Sequence, residues 1–230
     1  MAVVCNATDS HLTSSVAGLP SAGSPISLTT WMSGIWSTAT VGAKSFVGVY
    51  GPATPTTAIQ IGSRTTNGTC QVWTWGGGAM VATPAIMVDN QLTFIAYTYD
   101  GTNHNVYING VNQGTSTTAL LAGQYTTFYI NGYPTGLTSE TSTHSVESVS
   151  LYNRTLSADE IMTMYNSRGF RHSIVDGLLS HYEFDEAGAG ATASTIIDLA
   201  STPSNLTWTG AGTAMTYTYS NGDTSLRPVL

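Results

Sequence analysis

Residues 92–115 read LTFIAYTYDGTNHNVYINGVNQGT, and this stretch decides the fold class. Leu92, Phe94 and Ala96 alternate with Ile95, Tyr97 and Tyr99, the period-two pattern of a strand with two distinct faces. A polar turn follows, Asp100-Gly101-Thr102-Asn103-His104-Asn105, and residues 106–108 make the return strand. Asn109-Gly110 then closes a second hairpin: both central residues of a type I′ turn need positive φ, which asparagine and glycine tolerate best. Two hairpins in series are the unit of an antiparallel sheet.

The rest of the chain repeats the pattern. SPISLTTWMSGIW, KSFVGVYG, TAIQIGS and TCQVWTWGGGAMVA come before it; YTTFYINGY and VESVSLYN come after. Each is short, β-branched or aromatic, and ended by Gly, Pro or Asn, the spacing of a β-sandwich. One segment breaks the rhythm. In residues 157–169, Ser157 is a natural N-cap and Glu160, three residues on, completes a capping box. Ile161, Met164 and Tyr165 make one narrow apolar stripe, and Gly169 stands where a left-handed stop is wanted. This predicts a single short helix near residues 157–168, lying on a sheet rather than forming a core of its own. The expectation is an all-β, two-sheet antiparallel jelly-roll sandwich, one domain over residues 1–230.

Composition narrows the function. Charged residues are 8% of the 230, against roughly 25% in an average soluble domain. One lysine, Lys44, and five arginines against a net charge of -7 exclude a nucleic-acid partner, which needs clustered cations. Arg168 and Arg171 face the dipole of the helix end instead. No run approaches the roughly 18 apolar residues of a membrane helix, and MAVVCNATDS does not read as a signal peptide. Cys5 and Cys70 make no disulfide framework, and whether they pair is open.

FIAYTYDGTNHNVYINGVNQGT resembles the central hairpin of laminin-G-like, concanavalin-A-like jelly rolls, and VESVSLYNRTLSADEIMTMYNSRG resembles their next landmark, a strand followed by a short helix. GLLSHYEFDEAG is similar to the segment that opens such domains, yet it follows the landmarks here. The order implies a permuted domain in which residues 178–220 supply strands that usually come first. Together with the N-terminus and the terminal DTSLRPVL, the order is similar to laminin-G-like proteins of tailed phages.

That resemblance implies a non-enzymatic virion surface protein, a capsid decoration or head-associated protein. It would bind the major capsid protein or other virion proteins on the capsid exterior, with a possible homo-oligomer and weak adhesion to host-surface glycans. The alternative is a carbohydrate-binding lectin or adhesion module of a bacterium or phage. A glycosidase is more remote: Glu183 and Asp185 of EFDEAG share a strand face but Glu186 does not, one residue short of the glucanase pattern. Paired aromatics are the lead for sugar binding, since Trp73 and Trp75 share one strand face and Tyr97 and Tyr99 another. The competing reading puts these rings in the core.

No cofactor is expected. For calcium, which many laminin-G-like domains carry, Asp100 and Asn103 or Asp89 and Asn90 could supply oxygens, although such residues also cap turns. None of the five histidines, His11, His104, His144, His172 and His181, pairs with another at metal-ligand spacing. Four Asn-x-Thr sequons, at Asn6, Asn67, Asn153 and Asn205, suit a chain rich in Asn and Thr by chance alone.

Overall fold

A computed structural model describes residues 2–5, 11–34, 44–51, 58–63, 69–73, 79–85, 87–118, 123–132, 144–167, 174–209 and 215–218. Among these residues, sixteen strands and one helix follow in chain order. The first eight strands are β1 (Ala2–Cys5), β2 (Leu12–Ser14), β3 (Ile26–Gly34), β4 (Lys44–Tyr50), β5 (Ala58–Ser63), β6 (Thr69–Trp73), β7 (Ala79–Ala85) and β8 (Thr93–Tyr99). Then come β9 (His104–Ile108), β10 (Val111–Ser116), β11 (Thr127–Ile130), β12 (His144–Tyr152) and the helix α1 (Ala158–Asn166). The tail adds β13 (Leu178–Tyr182), β14 (Thr195–Ile196), β15 (Leu206–Trp208) and β16 (Thr216–Thr218).

They form two eight-stranded antiparallel sheets. The first runs β10-β9-β8-β3-β12-β1-β16, with β13 also on β12; the second runs β14-β15-β2-β11-β4-β5-β6-β7. This is the expected jelly-roll sandwich. Residues 178–218 enter both sheets: β13 and β16 join the first, β14 and β15 the second. The 92–115 stretch forms the hairpins expected of it, Ile95 opposite Ile108 and Tyr99 opposite His104. At Asn109-Gly110 both φ angles are positive, 51° and 81°, as a type I′ turn requires.

Between the sheets lies one apolar core, with Leu28, Met32, Ile95, Tyr97 and Val149 from the first sheet meeting Val49, Ile61, Val72 and Phe128 from the second. β3, β5 and β8 are buried at every residue, so both of their faces are covered, with the Trp31 ring of β3 the most accessible of its core side chains at 9%. Cys5 and Cys70 are free thiols in this core, one in each sheet. No disulfide links the layers, and burial pushes Cys70 up to about 12 and Cys5 further still, so both thiols stay protonated. Among the described residues no helix is long and apolar enough to cross a membrane.

A second, smaller cluster lies on the outer face of the first sheet. Trp31, Phe94, Ala96, Tyr107 and Tyr152 there receive Leu156, Ile161 and Met164 from the helix and its approach. The capping box forms as the sequence predicts: Glu160 N–H donates to Ser157 Oγ at 3.2 Å and Ser157 N–H to Glu160 Oε2 at 2.8 Å. The helix ends at Asn166 with Ser167 as its C-cap; Gly169 lies outside the described residues. Arg154 grips Glu160 through both terminal nitrogens, at 2.6 and 2.9 Å, and reaches Asp176 Oδ2 through Nε at 3.1 Å.

That grip makes the helix anchor acid-sensitive. Glu160 is held down to about 2 from an ordinary 4.5, first by its hydrogen bonds from Arg154. A carboxyl with a depressed folded value stabilises the fold above its unfolded value and ceases to do so as it protonates. The thermal midpoint is therefore expected to fall as the pH drops from about 4.5 towards 2, and to fall less in Glu160→Gln. Superimposable pH profiles for the two proteins, measured by circular dichroism, would show that this carboxylate adds nothing to stability.

Candidate functional site

Of the rings singled out by spacing, Trp73, Tyr97 and Tyr99 are described, and none of the three is on open surface. Trp73 is 2% exposed, on the face of β6 opposite the core residues Cys70 and Val72, and its ring lies over Gly62, where a Cβ would stand 2.7 Å from Cη2. Tyr97 and Tyr99, 0% and 3% exposed, point into the intersheet core. There His104 stacks on Tyr99 with centroids 4.4 Å apart, and its Nδ1 lies 2.7 Å from the Tyr97 hydroxyl. Nε2 sits 2.5 Å from Thr118 O, which can only accept, so Nε2 carries the proton and Nδ1 accepts from Tyr97. Burial lowers the His104 pKa, which keeps the ring neutral. None of these three residues offers a ring face to a sugar; Trp75 lies outside the described residues.

The acidic stretch is likewise engaged. Glu186 accepts from Ile197 N–H at 2.8 Å and from the Tyr217 hydroxyl at 2.9 Å, bracing the tail. Glu183 lies 3.3 Å from His181 Nε2, and His181 Nδ1 lies 2.9 Å from the Ser150 hydroxyl. Ser150 and His181 are buried, so this chain of polar groups secures β13 against β12. Asp100 spends its oxygens on its own turn, accepting from Thr102 N–H, Asn103 N–H and Asn103 Nδ2 at 2.7–2.9 Å. Asn90 takes a positive φ of 58° and donates its N–H to Gly34 O, the turn-forming role of such a residue. Among the described residues no group of three or more His, Cys, Asp or Glu could hold a metal ion.

A different constellation is open. On β3 and β8, Trp31 and Phe94 are register partners on the outer face, with centroids 5.2 Å apart. Tyr165, in the last turn of α1, stacks on Trp31 at 5.7 Å and 17°. Beside them stand Leu92 and Gln91, which lead into β8, then Asn109 in the tight turn, and Asn166 at the helix end. Trp31, Tyr165 and these last four line a groove of about 360 Å³. Gly110 fixes its corner, because a Cβ there would stand 2.9 Å from Met162 Sδ and 3.3 Å from the Tyr165 ring. Two aromatic rings, one leucine, three amides and no charged side chain line this groove. Rings beside amides suit a ligand with an apolar flat face and a rim of hydroxyls.

Sequence reasoning saw pieces of this groove as structure only. Tyr165 belongs to the helix stripe, Asn109 to the turn and Leu92 to the strand alternation, but only the fold brings them to Trp31.

The model of the concanavalin A-like lectin/glucanases superfamily matches residues 6–162. The chain belongs to that superfamily. A search of curated protein sequences finds no match. Among solved structures, a Bacteroides ovatus protein described as a candidate carbohydrate binder is similar over 93% of this chain and 61% of its own, with a TM-score of 0.64 and 13% identity. A Trypanosoma rangeli sialidase is similar over 66% of this chain and 24% of its own, with a TM-score of 0.51 and 20% identity. A heptameric pentraxin of Limulus polyphemus is similar over 74% of this chain and 84% of its own, with a TM-score of 0.54 and 14% identity. At these identities the likeness shows the fold. This chain spans less than two thirds of the first two proteins, so their activities do not transfer with it.

Burial assigns Trp73 a packing role. Truncating a buried tryptophan costs about 3–5 kcal/mol. Trp73→Ala is expected to lose stability on that scale in urea unfolding while leaving any sugar affinity of the folded protein unchanged; affinity lost without stability would put Trp73 back among the contact residues.

Proposed function

We propose that this protein is a non-enzymatic carbohydrate-binding module, and that the Trp31–Tyr165 groove is where it holds the sugar. The observation that carries the reading is the stacked Trp31–Tyr165 pair beside three amides at one opening in the fold. A pyranose has one face rich in C–H groups, which packs on an aromatic ring, and hydroxyls around its edge, which amides can both donate to and accept from. The groove lies near the lower end of the roughly 300–1,000 Å³ usual for small-ligand sites, which suits one or two sugar rings. Membership of a lectin and glucanase superfamily and a neighbour described as a candidate carbohydrate binder support the same reading. They favour it over the virion-surface expectation, for which neither the fold nor the comparisons supply support.

A glycan array followed by calorimetry tests it. The protein is expected to bind a saccharide, and Tyr165→Ala and Gln91→Ala are each expected to weaken that binding about tenfold, the scale of a lost ring stack or hydrogen bond. Binding unchanged in both variants would move the site elsewhere; no binding on the array would overturn the reading.

A further inference from the structure

Asn109 is held in the groove wall with one end of its amide committed and the other free. Its Oδ1 accepts the Phe94 backbone N–H at 3.0 Å, and its own N–H donates to Phe94 O at 2.8 Å. A backbone N–H can only donate, so the oxygen must face Phe94, and the orientation of the amide is fixed without ambiguity. Nδ2 is left with two N–H donors, which meet no partner among the described residues, at the wall of the groove. The backbone beneath is equally constrained. The residue holds φ at 51°, a region that asparagine, aspartate and glycine occupy with least strain. Gly110 next to it is wedged against Met162 and Tyr165, the same tyrosine that stacks on Trp31.

We infer that Asn109 is a specificity-determining residue of the groove, a preset donor that reads a hydrogen-bond acceptor on the sugar lying against Tyr165 and Trp31. The inference rests on the carbohydrate reading of the groove. The acceptor is a ring or acetamido oxygen, which carries no proton and, unlike a hydroxyl, cannot turn to donate to a carboxylate. The amide is already oriented before binding, so little side-chain entropy is lost when the ligand arrives. Two N–H donors on one nitrogen can span neighbouring oxygens of a single ring.

The conformation of the turn supplies a clean test. Asp-Gly forms the same turn as Asn-Gly, and an aspartate at 109 can still accept the Phe94 N–H. Asn109→Asp therefore keeps the wall and turns its donor into an acceptor, whereas Asn109→Gly keeps the turn and removes the side chain. Calorimetry would titrate wild type and both variants with lactose, cellobiose, maltose and chitobiose, beside a thermal melt of each protein. The wild type is expected to bind at least one of the four; for that sugar, Asn109→Gly should lose about tenfold and Asn109→Asp more, since it sets a carboxylate against the sugar's acceptor. A purely structural asparagine predicts the opposite order, with aspartate tolerated and glycine worse. Aspartate bound within twofold of wild type would overturn the role of Asn109 while leaving the groove a sugar site. No binding of any of the four by the wild type would overturn this role for Asn109, and the glycan array then decides whether the groove is a sugar site.

Discussion

The backbone ladder of β12 is the constraint on which the rest of this fold depends. Along one edge it pairs with β3 from His144 to Tyr152. Along the other it pairs with two strands laid end to end, β1 on residues 144–146 and β13 on residues 149–152. One strand thus binds the beginning, the middle and the tail of the chain into a single sheet. It has no freedom to slip, because a one-residue shift would turn Val149 and Leu151 out of the core and Ser150 into it. The bulge between Val146 and Ser148 absorbs the one residue by which the two halves of the ladder are out of step.

The position of the groove follows from that ladder. β12 runs straight into residues 153–157, which are tied to the sheet at three points. Ser27 Oγ donates to Arg154 O and accepts from Leu156 N–H, both at 2.8 Å, while the Thr155 hydroxyl donates to Tyr99 O at 2.9 Å. Arg154 then fixes Glu160 in the first turn, and Ile161 and Met164 seat the helix on Phe94, Tyr107 and Tyr152. With both its entry and its apolar stripe set, Tyr165 has to come down over Trp31. The groove is walled by elements that packing and hydrogen bonds already hold in place, the preorganisation that would lower the entropic cost of binding the proposed ligand.

The architecture was legible in the sequence because its signals are local. Alternation in residues 92–99, the Asn109-Gly110 turn, and Ser157 with Glu160 each specify a shape within a few residues, and each has the expected form here. The site was not legible for the same reason. Two-residue spacing shows that Tyr97 and Tyr99 share a face, but not whether that face meets water. In strands buried at every position, such as β5 and β8, neither face does. The groove unites residues 31, 91, 92, 109, 165 and 166, and only the pairing of β3 with β8, the turn after β9 and the seat of α1 place them together.

A helix is needed here because the outer face of the first sheet is too apolar to be left in water, yet this helix is too short to cover it. Nine residues of helix span about 14 Å, whereas nine residues of strand, the length of β3, span about 30 Å. The apolar stripe therefore runs out while aromatic surface remains. Trp31, at 9% exposure, sits at that boundary, covered on one side by Tyr165 and bordered by amides rather than by more apolar side chains. A longer helix would have buried the ring as ordinary core, and a shorter one would have left a bare hydrophobic patch. Ending at Asn166, the helix leaves an edge where an aromatic floor meets hydrogen-bonding groups, so the element that completes the fold also defines its opening.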